Sequence, residues 1–347
     1  MNVAVFGVGS IGGIIASALI SANKCAVTLV ARGRALQALS THGLRVQTFE
    51  GEQHHFNQIH VVNSETVHLQ PRPPLDYILV CTKAHQLPTI SQALSHLIGP
   101  RTVVVPCTNG LPYWFHPLQV TDPTGDLATT IPDTQLLGAV GMISGAVQPD
   151  YSCWETHWPS ERNTLVIGEP NGAQHGENAR AERLAGLFRG SQVAVQTTVC
   201  QPDDVQQIRD RIFDKLLINC SINSIGAVGQ IDCGETCESG SSSDRLLRRL
   251  VQEAMNVGKA YSSAAAAPLH LSLDPGTISQ HYQGQYGLKS SMLHDVEQWR
   301  ETEKEYIVDA LVELGSLYQV DTPCLETMSD LLSTYERRRR KRVVEGV

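Results

Sequence analysis

The chain has 347 residues, 41% of them hydrophobic and 18% charged, and a formal net charge of -8. Its length predicts two domains rather than one core, and the acidic balance argues against nucleic acid or an anionic membrane as the main partner. No stretch reaches the roughly 18 apolar residues a membrane helix needs, and "MNVAVFGVG" enters a strand without a signal-like lead, so a cytoplasmic location is expected.

"NVAVF" reads as a strand, "GVGSIG" follows at once, and "GIIASALISA" reads as a helix. This is the strand, loop and helix order of a dinucleotide-binding turn. Gly7 permits the tight turn, Gly9 lets backbone approach a pyrophosphate, and Gly12 lets helix and strand pack closely. Val8, Ser10 and Ile11 complete the loop. The next strand, "AVTLVAR", ends roughly 20 residues on, where an NAD site would carry an acid. Arg32 stands there instead, with Arg34 nearby, and a guanidinium suits a 2′-phosphate. The expected cofactor is therefore NADP(H), unless both arginines are only surface groups of a loop.

"DYILVCTK" and "TVVVPCTNG" read as buried parallel strands, which puts Lys83 and Asn109 at carboxyl ends where ligands gather. "LLGAVGMI", "TLVIGE" and "VAVQTTV" extend the α/β region to about residue 200, with an irregular stretch over 119–135. Nine scattered cysteines suit free thiols in a reducing compartment. Cys233 and Cys237 lack a second pair or a histidine at metal spacing, so no metal is expected.

After "QPDDVQQ" the pattern turns helical. "DKLLINCSINSIGAV" is apolar almost all round, yet carries Lys215, Asn219 and Asn223 at steps of four. Each step advances about 400° on an α-helix, so the three share one face. "SSSDRLLRRLVQEAMNVGKAY" is an amphipathic helix with capping residues at its start. "SSAAAAP" is a loop or helix edge. From Met292 through Val296, Trp299, Tyr306, Ala310 and Leu314 to Leu317 an apolar stripe predicts one long helix, with Glu303 on its buried face. Lys215 paired with Glu303 would relieve both desolvation penalties, either in a ligand cleft or as a structural ion pair. "RRRRKR", Arg337–Arg342, reads as a solvated helix end or, alternatively, a binding arm.

The glycine loop, Thr82–Lys83, Asn109–Gly110, "DKLLINCSIN" and "KSSMLHDVEQWRETEKEYI" together resemble the ketopantoate reductases, in that family's order and over most of the chain. The resemblance implies a Rossmann domain over 1–203, an all-helical domain over 204–347, and an active site between them. It implies NADPH-dependent reduction of 2-dehydropantoate to pantoate, a step of pantothenate synthesis, and a homodimer. Lys215 is similar to the family's catalytic lysine and Glu303 to its supporting acid. Asn219, Asn223 and Ser291, with Asp295 as a further candidate, resemble the substrate-binding residues. Lys83 and Asn109 match the cofactor and substrate junction, and Arg32 the 2′-phosphate ligand. In that scheme Lys215 donates the proton to the ketone oxygen as hydride arrives, and the asparagines grip the small-molecule 2-oxo acid. "PCTNGLPYWFHP" and "YSCWETHWPSERN" are more aromatic than the family pattern, which leaves another branched 2-oxo acid open, and a non-enzymatic NADP sensor besides.

Overall fold

The computed structural model describes residues 1–69, 73–171, 178–193, 195–201, 203–264 and 268–345; residues 265–267 of "SSAAAAP" lie outside them. Two compact units emerge: Met1–Thr108 with Thr124–Ile208, and Asn109–Pro123 with Arg209–Val347. A boundary at 203/204 would leave 109–123 with the first half. That segment instead packs with the second unit.

The first unit begins with β1 (Asn2–Phe6), α1 (Ser10–Ala22), β2 (Ala26–Ala31) and α2 (Gly33–His42). It continues through β3 (Leu44–Gln47), β4 (Gln53–Phe56), β5 (His60–Asn63), β6 (Tyr77–Val80), α3 (Leu87–Ser95) and β7 (Val103–Pro106). Five strands in the order β5-β2-β1-β6-β7 pair in parallel throughout, the Rossmann half-sheet. Val3 to Phe6 and all of β6 are buried, as expected for strands covered on both faces.

The rest of the unit comprises α4 (Asp126–Thr130), β8 (Gly138–Met142), β9 (Gly145–Val147), β10 (Trp154–Thr156), β11 (Thr164–Gly168), α5 (Ala179–Phe188) and β12 (Gln196–Val199). The three later strand-like runs do fold as strands, in a sheet separate from the parallel one. β8, β11 and β12 form their own three-stranded sheet, with β8 antiparallel to β11. A further sheet, β4-β3-β10-β9, lays β9 and β10 against α1. The stretch 119–135 holds α4 as well as irregular chain.

The second unit is helical. α6 (Ile208–Ile218), a π-turn at Asn219–Asn223 and α7 (Ser224–Gly229) make one continuous helix. Leu216, Leu217, Cys220, Ile222 and Ile225 are buried along it. α8 (Cys233–Thr236), α9 (Ser242–Ala264) and α10 (Pro275–Tyr282) follow. On α6, Asp214 accepts Ser272 N–H at 3.1 Å and Asp210 accepts His270 N–H at 2.7 Å, which ties the stretch before α10 to that helix.

The single long helix expected after residue 290 is two. α11 (Ser291–Glu297) stops, and a new helix runs from Lys304 through a π-turn at Glu305–Asp309 into α12 (Ala310–Leu317). Trp299 takes φ 54° in the left-handed region. Its N–H reaches Val296 O at 3.1 Å and Arg300 N–H reaches Asp295 O at 2.8 Å, the bond pair of a Schellman stop. Trp299 is only half-buried, and Leu317, the last residue of α12, is exposed. α13 (Pro323–Glu345) closes the chain, its first N–H groups at Cys324 and Leu325 capped by Glu253. Among the described residues no helix is long and apolar enough to cross a membrane, and no group of three or more His, Cys, Asp or Glu side chains could hold a metal.

Candidate functional site

In the first unit the glycine loop joins β1 to α1. Gly7 has φ 89° and donates to Val30 O at 2.9 Å, while a Cβ on Gly12 would lie 2.0 Å from Gly7 O. A Cβ on Gly9 would meet nothing within 4 Å, so that face of the loop is open. No side chain caps α1 and no acid occupies its first turn. An open glycine face before an uncapped helix start is what a diphosphate requires, so the loop fits a dinucleotide. Val8 is buried, and Ser10 and Ile11 open the helix.

Arg32 lies just past β2, at the N-cap of α2, with its side chain exposed. Lys83 follows β6 by three residues, and beside it the buried Thr82 Oγ1 has no hydrogen-bond partner among the described residues. Cys81 packs under the loop, its Cβ 3.0 Å from where a Cβ on Gly12 would sit. A hydrogen bond with Cys107, together with burial, pushes the Cys81 thiol well up, so it stays protonated.

In the second unit Lys215 Nζ donates to Asn109 Oδ1 at 2.8 Å, and Asn109 Nδ2 donates to Glu303 Oε2 at 3.0 Å. The expected lysine and glutamate are thus joined through an amide from the 109–123 strap. Glu303 is 4% exposed, and its carbonyl accepts Ile307 N–H, which places it at the N-cap of the following helix. The positive end of that helix complements its carboxylate.

Two π-turns build this geometry, and they pack against each other. Along α6 a four-residue step overshoots a full revolution by about 40°. A π-turn closes i→i+5 bonds and holds more residues per revolution, so the step from Asn219 to Asn223 undoes that drift. Asn223 Nδ2 donates to Asn219 Oδ1 at 3.0 Å. The amide nitrogen of Asn219, a residue only 5% exposed, has no hydrogen-bond partner among the described residues. In the second π-turn Ala310 N–H bonds to Glu305 O, and Tyr306 O accepts Leu111 N–H at 2.6 Å. A Cβ on Gly110 would lie 2.3 Å from that Tyr306 oxygen, so the residue after Asn109 must be glycine for the strap to seat. Burial, then the Glu305, Asp122 and Glu303 carboxylates, push the Tyr306 phenol up, so it remains neutral.

Ser291 is the first residue of α11 and is exposed, while Ser290 caps that helix by accepting Leu293 N–H at 3.2 Å. α11 packs against α7 and the Asn219–Asn223 turn. Asp295 is drawn to the Schellman stop, where Arg300 Nε lies 3.1 Å from Oδ1. The unit therefore gathers Asn109, Lys215 and Glu303 and pairs Asn219 with Asn223, whereas Asp295 faces Arg300. The basic run is a helix end: Arg339 pairs with Glu336 and Glu301, and Arg338 and Arg342 lie over the Trp299 ring.

The chain matches the family model "Ketopantoate reductase PanE/ApbA" over residues 3–172 and "Ketopantoate reductase PanE/ApbA C terminal" over 207–336. A 2-dehydropantoate 2-reductase of Mesorhizobium japonicum is 30% identical over 346 residues, covering 96% of this chain and 97% of that protein. Among solved structures, a Ralstonia solanacearum protein assigned as a ketopantoate reductase aligns with a TM-score of 0.82 at 25% identity, covering 97% and 98% of the two chains. D-mandelate dehydrogenase with NADH and anilino(oxo)acetate shares the fold at a TM-score of 0.79 and 19% identity, covering 98% and 99%. With both halves matched in order, the chain belongs to the ketopantoate reductase family of NADPH-dependent oxidoreductases.

Proposed function

We propose that the protein reduces 2-dehydropantoate to pantoate with NADPH, in pantothenate synthesis. The observation that carries this reading is the Lys215–Asn109–Glu303 hydrogen-bonded chain, set beside the whole-length relationship to a 2-dehydropantoate 2-reductase. Gly7 to Gly12 would hold the diphosphate, Arg32 the 2′-phosphate, and Lys83 and Asn109 the groups nearer the reacting end. When bound, NADPH supplies the hydride. Lys215 gives a proton from Nζ to the ketone oxygen, and its charge stabilises the alkoxide as that oxygen gains electron density. Asn109 holds Nζ by its carbonyl oxygen and fixes its direction, while Glu303 fixes Asn109 in turn. Asn219 and Asn223 offer neutral amides to the substrate's hydroxyl and carbonyl groups. Ser291, at a helix start, helps hold the carboxylate. Asp295, paired with Arg300, also shapes the end of α11.

A second reading is another 2-oxo acid, favoured by the strap that continues from Asn109 as Tyr113, Trp114, Phe115 and His116. Loss of absorbance at 340 nm, with NADPH or NADH and a panel of 2-dehydropantoate, branched 2-oxo acids and phenylglyoxylate, decides between them. Turnover of 2-dehydropantoate well above the rest is expected. A preference for phenylglyoxylate would replace the substrate assignment, and indifference between NADPH and NADH would remove Arg32 from its role.

A further inference from the structure

We infer that Trp154 is a positioning residue for the dinucleotide loop: its indole N–H fixes the Gly9 peptide, and so aims the Ser10 N–H at the diphosphate. The inference rests on the cofactor reading above. Trp154, in the middle of the aromatic stretch the family pattern does not account for, is completely buried. Its Nε1 donates to Gly9 O at 3.0 Å. The same oxygen accepts Gly13 N–H at 2.9 Å, the first bond of α1.

Three features make this contact more than a convenient partner for a buried indole. First, the protein is built to admit the ring. A Cβ on Gly13 would lie 2.1 Å from Trp154 Nε1, so the glycine just past the loop motif is there for the tryptophan. On the neighbouring strand β9, a Cβ on Gly145 would fall 2.3 Å from Glu155 O and 2.4 Å from Ile14 Cδ1, so β9 lies close against both β10 and α1. Second, beyond the α1 bond from Gly13, no capping side chain among the described residues holds Gly9. Its Cβ position faces open space and no side chain caps the helix start, so the most mobile residue type would otherwise stand at the ligand's contact point. Third, the chain has no cis peptides among its described residues. In a trans peptide C=O and N–H point opposite ways, so pinning Gly9 O on the Trp154 side directs Ser10 N–H away from it. Binding to a loop already held in this way avoids the loss of freedom that ordering it would entail.

Trp154→Phe keeps an aromatic ring and removes the donor. Benzothienylalanine at position 154, with sulfur where the indole carries N–H, keeps the volume as well. In both variants the Kd for NADPH should rise about two- to tenfold, the range for one neutral hydrogen bond. The KM for NADPH should rise in parallel while kcat at saturation stays within about twofold. The affinity for 2′-phospho-ADP-ribose should fall by the same factor, and that for adenosine 2′-monophosphate, which has no diphosphate, should not change. Trp158→Phe serves as the control and should leave every value unaltered. Unchanged NADPH affinity in the isostere variant overturns the inference, as does equal weakening of the diphosphate and monophosphate ligands, the sign of general damage to the unit. Failure of the unmodified protein to bind NADPH would instead defeat the cofactor reading, and this inference with it.

Discussion

Lys215 gives a hydrogen bond to the oxygen of Asn109, and Asn109 gives one to Glu303, so a single amide orients both charged groups. Holding one N–H of an ammonium on an amide oxygen sets the direction in which the group presents its charge. Lys215→Ala removes charge and proton together, and kcat should fall by about a hundredfold or more with the Kd for NADPH unchanged. Steady-state kinetics with a separate fluorescence titration of NADPH checks both halves, and near-normal turnover would remove Lys215 from the chemistry. Lys215 and Glu303 were legible because polar groups interrupt periodic apolar stripes. The bridging role of Asn109 was not, because it joins residues 106 and 194 positions away and leaves no local pattern. Trp154 was visible only as an aromatic residue out of place, and the clue to its contact was the glycine at 13, beyond the loop motif.

Whole elements differ in how openly they are written in the chain. β1, the glycine loop and α1 follow from contiguous residues. The β4-β3-β10-β9 sheet does not: its strands are three or four residues long, include polar runs such as "QHHF", and pair β3 with β10 across about a hundred residues. The stop at Trp299 was hidden because glycine is the usual residue in a left-handed Schellman position. Tryptophan is accepted there with Tyr335 stacked at 6.0 Å and Arg342 at 4.4 Å from its ring. π-turns leave no compositional mark at all. At the start of α9, Asp244 shows what an element's end contributes. Burial raises its carboxyl pKa, but bonds from Ser279 Oγ at 2.6 Å and Arg248 Nε at 3.0 Å outweigh burial and hold it below the usual range. A folded pKa below the unfolded value, near about 3.9, means stabilisation that is complete above that pH and lost as pH falls through the folded pKa. Asp244→Asn should therefore lower stability by about 1.5–3 kcal/mol at pH 7, with the difference narrowing in acid. Calorimetry from pH 7 down to pH 3 tests this, and a gap that stayed constant would show the charge is irrelevant.

At the scale of the whole molecule, the chain passes between its units at three places, after Thr108, Pro123 and Ile208. The Asn109–Pro123 strap is therefore encoded within the first half and folded with the second. It contributes buried Leu111, Tyr113, Phe115 and Leu118 to the helical unit. Its backbone at Gln119 and Val120 is held by the Glu313 carboxylate at 2.7 and 3.0 Å, and Phe115 O accepts from Arg209 Nη1 at 2.6 Å. A strand ending directly in "CTNG" gives no sign of that transfer, which explains why a boundary at 203/204 looks natural in the sequence. A fragment of residues 204–347 alone would expose the surface those four apolar side chains cover, each worth about 1.5–3 kcal/mol when fully buried. It should unfold broadly and bind a hydrophobic dye. Joining residues 109–123 to its N-terminus through a flexible Gly/Ser linker should restore a cooperative transition and raise Tm by well over 5 °C, since about 1 kcal/mol moves a unit of this size by several degrees. The comparison also isolates the site, because only the joined fragment can form the Lys215–Asn109–Glu303 chain. Equal Tm for the two fragments would mean that the strap is carried by the helical unit without stabilising it.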